Sequence, residues 1–177
     1  MILVLYFMTQ KNITLSLFVI ALISFLFIYH SDFLISSKNN LDRYDKPSFE
    51  DFPVTSIYNG TSTEVNISSN PNARQFRTAL RWAVKGNPPN FAGHYIVAEW
   101  GCGSSCQSGM IIDTISGTVY DMPDEATTRG IEYKLDSFLF ITNPFYEDDP
   151  TRYIYDIPAK YYLWKNNKFN LIYVQEL

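Results

Sequence analysis

The sequence predicts an α+β domain placed behind an N-terminal apolar segment. Three observations point there: one charge-free apolar run near the start, one stretch with helical periodicity, and a following series of short strand-like runs at hairpin spacing. Thirteen Tyr, thirteen Phe and three Trp supply the large side chains that a sheet core packs.

Ile13 to Tyr29 holds only Thr14, Ser16 and Ser24 as polar residues and no charge. As a helix it covers about 25 Å, close to the lower limit for a bilayer core. Lys11 before it and Asp32 beyond it favour an N-inside orientation. Met8 is the expected initiator, because Met1 to Phe7 would put a second apolar patch ahead of that lysine. The exit Phe27-Ile28-Tyr29-His30-Ser31-Asp32 lacks the small residues a cleavage site needs, which favours an uncleaved signal-anchor over a removed peptide. Three regions follow: 1–30 as signal-anchor or transmembrane segment, 31–46 as polar tether, and 47–177 as a single extracytoplasmic domain.

Residues 31–177 carry 18 acidic and 13 basic side chains. That balance excludes a nucleic-acid partner of the usual kind, which requires a basic face. Within the domain, Asn70 and Pro71 open a helix expected to run to Lys85, and Gly86 ends it. Phe76, Ala79, Leu80, Ala83 and Val84 form its buried face. Arg74, Arg77, Arg81 and Lys85 form a basic stripe, read as a solvated face or, less favoured, as a dock for an acidic partner. Glu64 to Ser68 reads as an edge strand. Strands are expected at His94–Trp100, Met110–Ile115, Thr118–Tyr120, Ile131–Lys134 and Phe138–Thr142. A closing hairpin, Tyr161–Trp164 and Phe169–Val174, turns at Lys165-Asn166-Asn167-Lys168. The expected product is one helix packed on a mainly antiparallel sheet.

The chemistry-bearing motif is His94-Tyr95-Ile96-Val97-Ala98-Glu99-Trp100-Gly101-Cys102-Gly103-Ser104-Ser105-Cys106, a strand entering a glycine-rich turn bracketed by both cysteines of the chain. Outside the cytoplasm such a pair is expected to close a disulfide, for which a tight turn brings the Cα atoms near enough. Gly101 and Gly103 are expected to provide any positive φ the turn needs. The ring would then hold Gly103, Ser104 and Ser105 as a stiff knuckle, with Gly101 and Trp100 beside it, and these five form the expected binding element. Two alternatives stay open. His94, Cys102 and Cys106, with Glu99 or Asp113 as a fourth ligand, have the atom types of a zinc site, although the spacing differs from the deaminase pattern. A Cys–His pair built from His94 and either cysteine would make a hydrolase. The favoured expectation is no catalytic residue, no metal and no cofactor.

Pro89-Asn90-Phe91-Ala92-Gly93-His94-Tyr95, then Trp100-Gly101-Cys102-Gly103-Ser104-Ser105-Cys106-Gln107, then Asp113 and Gly117-Thr118-Val119-Tyr120 resemble a family of bacterial exported proteins that brings no assigned activity. The resemblance covers about Ala73 to Pro123 and implies an envelope protein: in the bacterial inner membrane with its domain in the periplasm, or secreted if the anchor is cut. The order helix, strand, small closed loop, strand, hairpin is also similar to the periplasmic inhibitors of vertebrate-type lysozyme. Their loop uses a histidine, whereas this loop encloses Gly103, Ser104 and Ser105. This second resemblance, with the acidic domain, implies an envelope protein as partner, of which a basic hydrolase is one kind.

Overall fold

The computed structural model of the chain describes residues 46–146 and 156–176. The apolar segment Ile13–Tyr29, almost all of the tether and the acidic loop Glu147–Pro150 lie outside those residues. Among the described residues, no helix is long and apolar enough to cross a membrane.

The α+β expectation holds, with two sheets in place of one. β1 (Tyr95–Gly103), β2 (Cys106–Asp113) and β3 (Val119–Asp121) form an antiparallel sheet in that order. β4 (Ile131–Tyr133), β5 (Leu139–Thr142), β6 (Ala159–Lys165) and β7 (Lys168–Gln175) form a second antiparallel sheet, again in chain order. A helix, α1 (Arg77–Val84), lies against the first sheet.

Side-chain alternation along the strands explains the layering. On β1 and β2, Ile96, Ala98, Met110 and Ile112 face α1 and pack with Ala73 and Leu80. Their neighbours Tyr95, Val97 and Ile111 point the other way, into an aromatic core with Phe91, Phe140, Tyr162 and Trp164. The far face of the second sheet buries Leu139, Ile141 and Tyr161, and Phe49 and Phe52 of the lead-in pack on it. The layers are thus helix, three-stranded sheet, four-stranded sheet and lead-in. Phe91 is fully buried at the aromatic junction, with Phe140 edge-on at 5.5 Å. Trp164 meets Tyr95 edge-on at 5.2 Å and Tyr120 at 5.5 Å.

Two expectations are corrected. The helix expected over Pro71–Lys85 is split into a 3-10 turn at Pro71–Arg74 and α1. Ala73 in the turn and Phe76 just before α1 both reach the helix-side core. Its predicted signals do operate: the Asn70 side chain accepts from Asn72 N at 2.8 Å, and Gly86 follows with φ +75°. Glu64–Ser68 is not a strand. Asn66 accepts from Ser68 N through its side chain, which turns the backbone into a 3-10 turn at Ile67–Ser69. The segment still docks on the β2–β3 turn, since Thr63 N donates to Thr114 O and Asn66 N to Gly117 O, both at 2.8 Å.

Gly117 has φ +75°, and a Cβ there would stand 2.2 Å from the Glu64 carbonyl oxygen. Gly117→Ala is therefore expected to lower stability by more than about 1 kcal/mol. A urea midpoint equal to that of the parent protein would contradict this docking.

Candidate functional site

The candidate site is a projecting hairpin. Along β1 the residues Tyr95–Ala98 are buried, Glu99 is exposed, Trp100 is half-buried and Gly101–Gly103 are exposed. On β2 the order is mirrored, with Cys106–Ser108 half-buried and Gly109–Ile112 buried. Backbone pairing nevertheless continues past the core: Glu99 faces Gly109, Trp100 faces Ser108, Gly101 faces Gln107 and Gly103 faces Cys106. A bulge between Gly101 and Gly103 takes up Cys102. The expected turn is therefore the tip of a continuous hairpin, closed by only Ser104 and Ser105.

Cys102 and Cys106 form a disulfide across this tip, with Cα atoms 5.1 Å apart. Gly103 has φ +143° and Ser105 has φ 50°. Gly101 does not adopt a positive φ, so the left-handed turn residue is Ser105 and not the first glycine. The tip residues Gly101, Gly103, Ser104 and Ser105 all face solvent. Trp100 belongs to the base: its ring stacks on Phe76 at 4.4 Å, fixing the hairpin against the start of α1.

Polar contacts hold the base from the other side. Gln107 N donates to Thr127 O at 2.9 Å and Thr127 N returns to Gln107 O at 2.8 Å. Ser108 Oγ donates to Glu125 O at 2.7 Å. The Glu99 carboxylate accepts from the Tyr133 hydroxyl and from the Gln107 amide. Burial, then the neighbouring carboxylate, holds the Tyr133 hydroxyl protonated far above the usual tyrosine range. Beside the base is a cavity of about 500 Å³, lined by Phe76, Trp100 and Met110 and by the carboxylates Asp121, Asp124 and Glu125.

His94 stands at the opposite end of β1. His94 directly precedes β1, and the eight residue steps from it to Cys102 follow that extended strand, a distance of about 26 Å. His94, Cys102 and Cys106 are therefore not brought together, either as zinc ligands or as a Cys–His pair. The His94 ring lies 4.0 Å from that of Tyr95, and its Nε2 is 4.0 Å from Asp113 Oδ1. That carboxylate oxygen accepts from Ile115 N at 2.8 Å and Ser116 N at 3.2 Å, so Asp113 shapes the β2–β3 turn. Among the described residues no cysteine is free, and no group of three His, Cys, Asp or Glu could hold a metal ion.

Comparison with protein-family models, curated proteins and solved structures finds no match.

Nothing in the sequence pattern marks the cluster around Asp124. Lys160 Nζ lies 2.8 Å from Asp124 Oδ1, Thr142 Oγ1 donates to Oδ2 at 2.6 Å, and the Tyr162 hydroxyl reaches both oxygens at 3.3 Å. Burial and the Asp124 charge push the Tyr162 hydroxyl far up. This cluster ties the loop that clamps Gln107 to β5 and β6. Its three partners lie 18 to 38 residues from Asp124 in sequence, beyond the reach of any local periodic signal.

Burial also pushes Tyr161 up, to about 12. Tyr133, Tyr161 and Tyr162 each bind the phenolic proton more tightly in the folded state than in the unfolded one. Their contribution is complete below about pH 10 and is lost as pH rises through the raised folded values. Spectrophotometric titration is expected to leave these three tyrosines protonated at about pH 11 until urea unfolds the protein. Full phenolate absorbance from the folded protein at that pH would refute the assignment.

Proposed function

We propose that the chain is an exported or membrane-tethered envelope protein that binds another protein through the hairpin tip Gly101–Cys106. The observation that carries this reading is an exposed, disulfide-closed tip on a stem buried on both faces. A recognition element gains affinity when its shape is fixed before binding, because less conformational entropy is lost on association. Backbone groups of Gly101 and Gly103 and the hydroxyls of Ser104 and Ser105 offer polar contacts there, with Trp100 as the apolar edge.

The partner is a basic envelope protein, of the kind a lysozyme-like hydrolase represents. Supporting this are the excess of acidic side chains in residues 31–177 and the carboxylates Asp121 and Glu125 lining the cavity beside the tip. Retention in the membrane rests on the apolar sequence Ile13–Tyr29, with periplasmic exposure of the domain in a bacterial inner membrane, or secretion if that segment is cleaved. The hydrolase reading is not favoured, since His94 stands far from the sulfurs and the sulfurs are joined.

Replacing both cysteines by serine opens a very short ring and is expected to cost about 2 kcal/mol by chain entropy, leaving the domain folded. A photo-crosslinking residue at position 104, in cells of the natural host, is expected to capture a basic envelope protein. The adduct should disappear in the double serine variant and be absent with the probe at Ile57, whose neighbour Tyr58 pairs with Gly93 at the far end of β1. Equal capture from both positions, or capture that survives loss of the disulfide, would refute recognition by the tip.

A further inference from the structure

α1 buries Leu80 and turns Arg77, Arg81 and Trp82 outward, with Arg74 and Lys85 flanking them on the exposed side. Residues 65–98 contain these four basic side chains and no Asp or Glu, in a chain whose total charge is −4. Among the described residues, none of the four forms an ion pair with a carboxylate; Glu64, which shares a cavity with Arg81 and Lys85, is unpaired with either. At the centre of this face Trp82 is 65% exposed, with the Lys85 ammonium 5.0 Å from its ring. An exposed ring is ordinary when it stands alone; this one stands at the centre of a face whose four charges all have one sign.

We propose that this face of α1 rests on an anionic lipid surface, with Trp82 entering the headgroup region and Arg74, Arg77, Arg81 and Lys85 meeting lipid phosphates. Indole rings favour that interface, and each basic side chain near an anionic surface strengthens association about fivefold. The contact rests on the membrane-tethered reading above. Only sixteen residues separate Tyr29 from Lys46, a chain that reaches at most about 55 Å when extended. A domain so leashed samples the bilayer constantly, which lets a small face bind that would be too weak when free. An acidic protein is the competing occupant.

The test uses the full chain reconstituted in vesicles of phosphatidylcholine alone, or with about 30% phosphatidylglycerol, with acrylamide quenching of tryptophan as readout. The anionic vesicles are expected to cut quenching about twofold, because Trp164 is already buried, Trp100 is half-buried against Phe76 in either case, and Trp82 is the exposed ring that gains cover. The difference should vanish in W82F, in R77Q/R81Q/K85Q and at about 0.5 M salt. Equal quenching on both lipids, with flotation showing the chain vesicle-bound, would overturn the proposal and leave the face to an acidic protein. Failure to float with neutral vesicles would instead refute the anchor. Sedimentation of that unanchored chain with anionic vesicles, weakened about 100-fold in the triple variant, would then uphold the lipid contact, and its absence would overturn it.

Discussion

Burial of the β1–β2 stem on both faces is the constraint on which the rest depends. Most hairpins in antiparallel sheets have one face in water. Here Ile96, Ala98, Met110 and Ile112 serve the helix side while Tyr95, Val97 and Ile111 serve the aromatic side. A one-residue slip would exchange the two sets, placing Tyr95 against α1 and Ile96 among the rings, so register is fixed from both directions. Pairing set in the stem then runs on, past one bulge at Cys102, into a tip that has no core of its own. The disulfide has only the last few residues left to fix.

How much of this was legible in the sequence depended on whether each signal was local. The run Tyr95-Ile96-Val97-Ala98 announces a strand, though not the cover on both its faces, and Lys165-Asn166-Asn167-Lys168 announces a turn, in which Asn166 and Asn167 take φ values of 54° and 58°. Asn70 and Pro71 mark the 3-10 turn that precedes α1, and Gly86 marks the end of α1, because capping involves near neighbours. What sequence reading lost was of two kinds. Strand pairing beyond Trp100 is carried by backbone groups after apolar alternation has stopped, so the cysteine segment looks like a turn alone. The supports of that segment, Thr127, Tyr133 and Asp124, come from distant stretches and carry no mark of their role. The division into two sheets is likewise a matter of which hairpin faces which, and patterning alone is silent on it.

Electrostatic character is divided along the chain. Arginines and lysine collect on α1 in a stretch without acids, and carboxylates collect at the base of the hairpin and on the loop that clamps it. Phe76 joins the two regions, since it precedes α1 and stacks on Trp100. Moving the helix would therefore shift the base of the hairpin, and the two surfaces are mechanically continuous through one pair of rings.

The strand order in both sheets follows the chain without a crossover. Each β-ladder joins strands that are consecutive in sequence, so each sheet can assemble by short-range closures that lose little chain entropy. The contacts between residues far apart in sequence lie where the two sheets meet, with Phe91, Tyr95 and Val97 on one side and Phe140, Tyr162 and Trp164 on the other. Chain entropy lost to long-range closure therefore falls mainly on this aromatic seam.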